Sequence, residues 1–425
     1  MGAVLSVGSI VAWGCSGSDG AAPAGDPSPV AEAGVREAGD AESAEGSPPG
    51  VEAGVAEGGA DGGVAYDLND VSFLFPLPTA DLGDDLLSFA SAGAKGPLLP
   101  KTVYDALGLQ VGTLTPSDPY LTMRAIGVRV DPCGAVPADA GPCTMQVRLV
   151  FQPMDASPIV VDDAGPPTVD AAVHLTYAVT GADATTLRGR LAGLKQMAGA
   201  RTNGKPLGVH PVMREEGLKG AYATAVRQMV LEVAGAQTLV RATGMGVLAG
   251  DLQWPFGGVN VLDDGGTERM TIPRIAQTQQ PVQLLLGGGV MELTIGLDPG
   301  VDKATLLLRP ADVKTAAIAD VNDAVRSTLT TDHPSGPTLF TIDCASCHVA
   351  ARSRERATSL RGIDVSGWPE RFTDDAFDLT RTEEQPDDMH VLRAFGYFGR
   401  HASITQRTVN ESAVAAKALR SAQGK

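Results

Sequence analysis

The sequence predicts a multidomain protein with a disordered leader, a strand-rich α+β domain, and a separate C-terminal domain. Three observations support this: an early stretch without aromatic residues, a middle region of alternating apolar residues, and a Cys-x-x-Cys-His motif near the C-terminus. The 425 residues are enough for two or three domains. The expected bounds are 1–15 for a signal segment, 16–65 for the leader, 66–315 for the strand-rich domain and 327–425 for the C-terminal domain.

The N-terminus has an apolar run, residues 3–14, that is too short to cross a bilayer as a helix and is typical of a signal-peptide core. Cys15 follows it directly, and the pattern resembles a bacterial lipoprotein signal. The resemblance implies lipidation at Cys15 after cleavage, and Ser16 beside it implies the outer membrane. We therefore expect an exported cell-envelope protein that faces the periplasm or the surface. A secreted protein without an anchor and a cytosolic protein are the alternatives.

The leader that follows consists mainly of Gly, Ala, Pro, Ser and acidic residues, with Arg36 as its only cation. Such a segment cannot bury enough apolar surface to offset the entropy of ordering it, so we expect disorder and a tethering role. The whole chain carries a formal charge of −17, which excludes nucleic acid as a favoured partner.

The middle region shows the period-two alternation of half-buried antiparallel strands. In residues 145–151 the odd positions are apolar, and in 173–179 the same alternation places His174 and Thr176 on the outer face. Further strands are expected at 238–242, 245–248, 258–262, 270–272, 281–286 and 291–295, and helices at 98–107, 187–198 and 219–233. The domain is therefore expected to be α+β or sandwich-like, with more strand than helix.

Cys133 and Cys143 bracket a short segment rich in Pro, Gly and Ala. A disulfide between them is expected if the compartment is oxidising.

The motif Cys344-Ala345-Ser346-Cys347-His348 carries the functional prediction. Two thiols three positions apart lie on one edge of a helical turn, where they can add to the two vinyl groups of a haem, and the next histidine reaches the iron. We therefore expect one covalent haem c, with Cys344 and Cys347 as thioethers and His348 as proximal ligand. A zinc site would need a second pair of ligands, and a thioredoxin-type pair would need a βαβ setting.

Gly336 and Phe340 precede the motif in the pattern Gly-x-x-x-Phe-x-x-x-Cys, which resembles the first helix of class I cytochromes c. The resemblance implies an all-α domain over residues 327–425. It also implies a distal methionine, for which Met389 is the candidate; His390, His401 and an open site are the alternatives. A final helix is expected to begin at Asn410. The cations and tryptophan that are candidates to hold haem propionates are Arg352, Arg354, Arg356, Arg361, Trp368 and Arg371.

Together these features predict a metal-binding cytochrome that transfers single electrons to or from an unidentified redox partner, rather than an enzyme. Its membrane contact would be the lipid at Cys15. The alternative is a cell-envelope binding or scaffold lipoprotein in which the haem region is a sensor or accessory.

Overall fold

In the computed structural model, an antiparallel sheet occupies the centre of the unit Ala60–Lys425. The described ranges are 64–78, 83–109, 118–134, 143–154, 171–247, 253–287, 290–295, 303–338, 341–381 and 392–422, and the side chains of 284–295 are not described. The signal segment, Cys15 and nearly all of the leader lie outside these ranges.

The centre of the fold is a nine-stranded antiparallel sheet in the order β1-β4-β5-β6-β7-β8-β10-β11, with β9 paired to β8. Its strands are β1 Ser72–Leu74, β4 Met123–Gly134, β5 Thr144–Pro153, β6 Ala172–Val179, β7 Leu239–Met245, β8 Gln253–Val261, β9 Thr267–Arg269, β10 Gln279–Gly287 and β11 Val290–Ile295. Two short hairpins lie outside the sheet: β2 Ala92–Gly93 with β3 Gly96–Pro97, and β12 Phe395–Phe398 with β13 His401–Ile404.

Helices flank this sheet. They are α1 Lys101–Leu107, α2 Pro119–Thr122, α3 Gly181–Ala198, α4 Pro211–Glu216, α5 Ala221–Val233, α6 Pro310–Thr315, α7 Ile318–Asp332, α8 Cys344–Arg361 and α9 Gln406–Ala422. Short 3-10 turns cover Leu68–Asp70, Gly199–Thr202 and Lys303–Leu308. Within the described ranges, no helix is both long and apolar enough to cross a membrane.

The two faces of the sheet are covered by different parts of the chain. Strand residues alternate between faces, and Phe151 of β5 packs its ring against Phe89, which also contacts Tyr104 of α1. The opposite face, which carries His174 of β6, is covered by later elements: α9 contacts β4, α8 contacts β8 and β10, and β12 contacts β4 and β5. The sheet is therefore the middle layer.

The predicted fold class is wrong for the C-terminal region, which is not an all-α cytochrome domain. The β12–β13 hairpin interrupts its helices, and its apolar side chains share one core with the sheet, for example Val349 and Phe395 with Val128. Only α6, α7 and part of α8 form a small helical cluster of their own, around Val325. The sandwich-like alternative is also wrong, because helices rather than a second sheet cover the central sheet.

The local resemblance to a cytochrome first helix does not extend upstream of the motif. Helix α8 begins at Cys344, and Gly336 and Pro337 lie in the turn that precedes it, while Phe340 lies outside the described residues. The final helix also begins earlier than expected. Asn410 lies inside α9, where its side-chain Nδ2 donates to the backbone oxygen of Asp332 instead of capping the helix.

Cys133 at the end of β4 and Cys143 just before β5 form a disulfide, with their Cα atoms 4.8 Å apart. We expect the double substitution Cys133→Ser with Cys143→Ser to lower the free energy of unfolding by about 2–3 kcal/mol, because the unfolded chain regains the freedom of a short loop. Urea unfolding with and without reductant measures this. The variant should not respond to reductant, and a wild-type protein equally insensitive to reductant would contradict the prediction.

Candidate functional site: a cavity at the Cys-x-x-Cys-His motif

A cavity of about 130 Å³ lies between the sheet and the first turn of α8. Cys344, Cys347 and His348 line it from the helix, and His174 of β6 lines it from the sheet. The structure thus brings all three residues of the motif to one cavity.

The first turn of α8 is fixed by hydrogen bonds that set the direction of the motif. Asp343 caps the helix by accepting from the backbone N–H of Ser346, at 2.8 Å. Gln280 of β10 donates its Nε2 to the same carboxylate oxygen at 2.7 Å and accepts from the N–H of Ala345 at 2.8 Å. Positions three apart in a helix share a face, so Cys344 and Cys347 both line the cavity.

The imidazole of His348 has a defined tautomer. Its Nδ1 lies 2.6 Å from the backbone oxygen of Leu392, which can only accept, so Nδ1 carries the proton. Burial lowers the pKa of His348 to about 4, although the bond to Leu392 opposes the shift. The ring is therefore neutral at physiological pH, with the lone pair of Nε2 free to bind a metal. A backbone oxygen that orients a histidine in this way is typical of metal-ligating histidines.

The two thiols of the motif are protonated and are therefore poor nucleophiles. Burial raises the pKa of Cys344 to about 12 and that of Cys347 to about 11. Thiol–disulfide exchange requires a thiolate, so this environment argues against a thioredoxin-type redox pair.

His174 stands on the opposite wall, with its ring centre 6.3 Å from that of His348. Burial, followed by His348 and Arg129, lowers the pKa of His174 to about 3, so this ring is neutral as well. His174 was expected on an outer face of its strand, and its assignment to the same face as Thr176 is confirmed. The expectation that this face meets solvent is wrong, because the C-terminal elements cover it. The alternation of apolar and polar residues along β6 could not have shown that this face is covered.

Charged residues surround the rest of the cavity. Glu411 of α9 accepts from Nη2 of Arg129 at 2.9 Å and from Nε of Arg407 at 2.8 Å, and its Oε2 lies 3.7 Å from Nη1 of Arg148. Although burial alone would raise it, the charges of Arg129, Arg407 and Arg148 lower the pKa of Glu411 to about 2. Arg241 of β7 also lines the cavity and donates its Nε to Oδ1 of Asn260 at 2.9 Å.

Three of the cations expected from the sequence to hold propionates form other contacts. Arg354 pairs with Asp332 at 2.5 Å, Arg356 donates to the backbone oxygen of Leu308, and Arg361 donates to that of Val313. These bonds join α8 to its helical neighbours. Four other cations line the cavity: Arg129 of β4, Arg148 of β5, Arg241 of β7 and Arg407 of α9.

The distal-ligand candidates separate into two groups. Met389 and His390 lie outside the described residues. His401 begins β13, and it is not among the described residues that line the cavity.

The classification as a metal-binding cytochrome c needs correction. Among the residues that the structure describes, no group of three or more His, Cys, Asp or Glu is placed to hold a metal ion. The described side chains therefore supply no site of three such ligands, and the C-terminal region is not an all-α cytochrome domain. This finding concerns ions held only by protein groups, since a haem iron takes four ligands from its macrocycle.

Comparison of the chain with family models, curated proteins and solved structures finds no match.

Proposed function

We propose that the protein carries one haem c in this cavity, bound through Cys344 and Cys347 with His348 on the iron, and that it transfers single electrons. The observation that carries the proposal is the orientation of His348. Its Nδ1 is held by the Leu392 oxygen at 2.6 Å, which leaves Nε2 free in the same cavity that both thiols line.

The haem would supply a one-electron couple at its iron. The chain's own residues provide attachment, orientation and charge. The walls of the cavity carry four arginines against two acids, Asp343 and Glu411. An excess of guanidinium groups suits a ligand that carries carboxylates, because charge-assisted hydrogen bonds form between them. Arg241, whose pKa burial lowers to about 10, lies on the sheet wall in a position to contribute.

The volume of the cavity is small for a haem. A volume of about 130 Å³ is below the roughly 300–1,000 Å³ of pockets that enclose a small ligand. The ring of Phe256 fills part of the surroundings, with its centre 4.9 Å from that of His348. A haem edge must therefore extend through the mouth of the cavity, or neighbouring side chains such as Phe256 must move aside. An exposed edge would serve electron exchange with a partner.

Export to the cell envelope and anchoring through Cys15 belong to the same proposal. The signal-like N-terminus and the Cys133–Cys143 disulfide both require an oxidising compartment outside the cytoplasm. The partner would be another redox protein, and the net charge of −17 disfavours nucleic acid.

The test is to express the full chain with a c-type haem maturation system and measure covalent haem by the pyridine haemochrome spectrum after denaturation. We expect about one haem per chain, and essentially complete loss of covalent haem when Cys344→Ser and Cys347→Ser are combined. The matched control is the double substitution Cys133→Ser with Cys143→Ser, which removes two cysteines elsewhere and should retain the haem. A wild-type chain that matures without covalent haem would disprove the proposal.

A further inference from the structure

We propose that His174 of β6 is the second axial ligand, on the side of the haem opposite His348. This rests on the proposed haem attachment and adds a residue that the motif does not contain. It also places the ligand in the middle of the central sheet instead of at Met389.

The separation of the two rings carries the inference. Their centres are 6.3 Å apart. A metal–imidazole bond is about 2 Å long, and a ring nitrogen lies roughly 1 Å from the centre of its ring, so two imidazoles on one metal have centres roughly 6 Å apart. The rings of His174 and His348 have this spacing, and both side chains line the same cavity.

The environment of His174 gives a second, independent reason. The side chain is half-buried and lines the cavity. No described residue forms a hydrogen bond with either of its nitrogens. An imidazole that lines a cavity and forms no hydrogen bond with a described residue keeps a nitrogen lone pair for a ligand there.

The register of the sheet places His174 in the middle of a row of side chains. It lies between Val150 of β5 and Thr243 of β7, and the next positions in the row are Gly127 on β4 and Gly258 on β8. The ring of Phe395 covers Gly127, and the Cε of Met270 approaches Gly258, so these two side chains bound the space beside His174. A macrocycle beneath His348 would require them to move aside.

Two methionines also line the cavity and are the strongest rivals among the described residues. Met245 lies with its sulfur 3.9 Å from Nη1 of Arg393, which gives that sulfur a partner already. Met270 lies beside Gly258, as the close approach of its Cε shows. Ligation by methionine raises the reduction potential of a histidine-ligated haem, so the two assignments differ in a measurable property.

The experiment uses the full chain with its haem and compares His174→Ala with wild type. We expect covalent haem content to be unchanged, while the low-spin spectrum of the ferric and ferrous protein changes to a high-spin, five-coordinate spectrum. Added imidazole should restore the low-spin spectrum, and a far-UV circular dichroism spectrum equal to that of the wild type shows that the variant is folded. His174→Met should keep a six-coordinate haem and raise its reduction potential.

The controls are Met389→Ala, Met270→Ala and His401→Ala, each of which should leave the wild-type spectrum unchanged. Retention of the low-spin spectrum in His174→Ala, or its loss in any of these controls, would overturn the assignment and leave haem attachment intact. A wild-type chain without covalent haem would overturn both proposals, so the two failures are distinct.

Discussion

Replacing Glu411 with glutamine should lower the free energy of unfolding by about 3–5 kcal/mol, because it removes one partner of a buried ion cluster. The Glu411 carboxylate is 17% exposed and is shared by three guanidinium groups, those of Arg129, Arg148 and Arg407. Without it, these cations lie close together with their common counter-charge removed. The cluster also joins α9 to β4, so the loss should loosen the attachment of the C-terminal helix to the sheet.

The pH dependence of the free energy of unfolding provides a second test of the same ion cluster. The pKa of Glu411 is about 2 in the folded protein and about 4.5 without its surroundings. A carboxyl with a lowered folded pKa contributes stability that is fully present above the unfolded pKa and is lost as the pH falls towards the folded pKa. We therefore expect a loss on the order of 3 kcal/mol between about pH 5 and pH 2, which Glu411→Gln should lack.

Urea unfolding followed by circular dichroism, from pH 7 to pH 2, measures both effects. The matched control is Glu215→Gln, which removes a carboxylate paired with Arg201 that is 67% exposed. Exposed pairs contribute less than about 1 kcal/mol, so this control should unfold like the wild type. Equal stability of Glu411→Gln and Glu215→Gln would show that the cluster does not hold α9 on the sheet.

The sequence was sufficient to predict the features that depend on residues close together in the chain. The alternation in residues 145–151 and 173–179 predicted β5 and β6, which pair as neighbours from Met145 with Val179 to Phe151 with Val173. The spacing of apolar residues predicted α5 over nearly its whole length. The three residues of the Cys-x-x-Cys-His motif share one cavity because they are adjacent in one helical turn.

The sequence was insufficient where contacts join distant parts of the chain. Alternation shows which side chains share a face, but it does not show whether that face meets water or another layer. Arg129 and Arg148 lie on strands of the sheet, and both pair with Glu411 of α9, which is 282 positions after Arg129. The C-terminal region was expected to fold alone, because its motif resembles that of a self-contained domain. Its apolar side chains instead complete the core of the sheet.

A second buried ion pair should be as sensitive as the Glu411 cluster. Lys195 of α3 is 9% exposed, and its Nζ donates to Asp70 Oδ2 at 2.6 Å, to Thr202 at 2.9 Å and to Asn203 at 2.7 Å. We expect Lys195→Met to lower the free energy of unfolding by about 3–5 kcal/mol, because the Asp70 carboxylate, 1% exposed, loses its counter-ion. Burial already raises the pKa of Asp70, even with Lys195 in place.

The sign of the pH effect distinguishes an uncompensated charge from lost packing. In Lys195→Met the folded pKa of Asp70 should rise further, so the destabilisation should be full at neutral pH and relieved as the pH falls and Asp70 becomes protonated. Urea unfolding across this range measures it. Arg190→Met is the matched control, since Arg190 lies on the same helix, pairs with Glu232 and is 55% exposed, so about 1 kcal/mol or less should be lost. Among Lys195 and its three partners, only Asp70 changes its charge between pH 7 and pH 3. If Lys195→Met lowers the free energy of unfolding by the same amount at both pH values, the loss would therefore come from packing of the lysine stem.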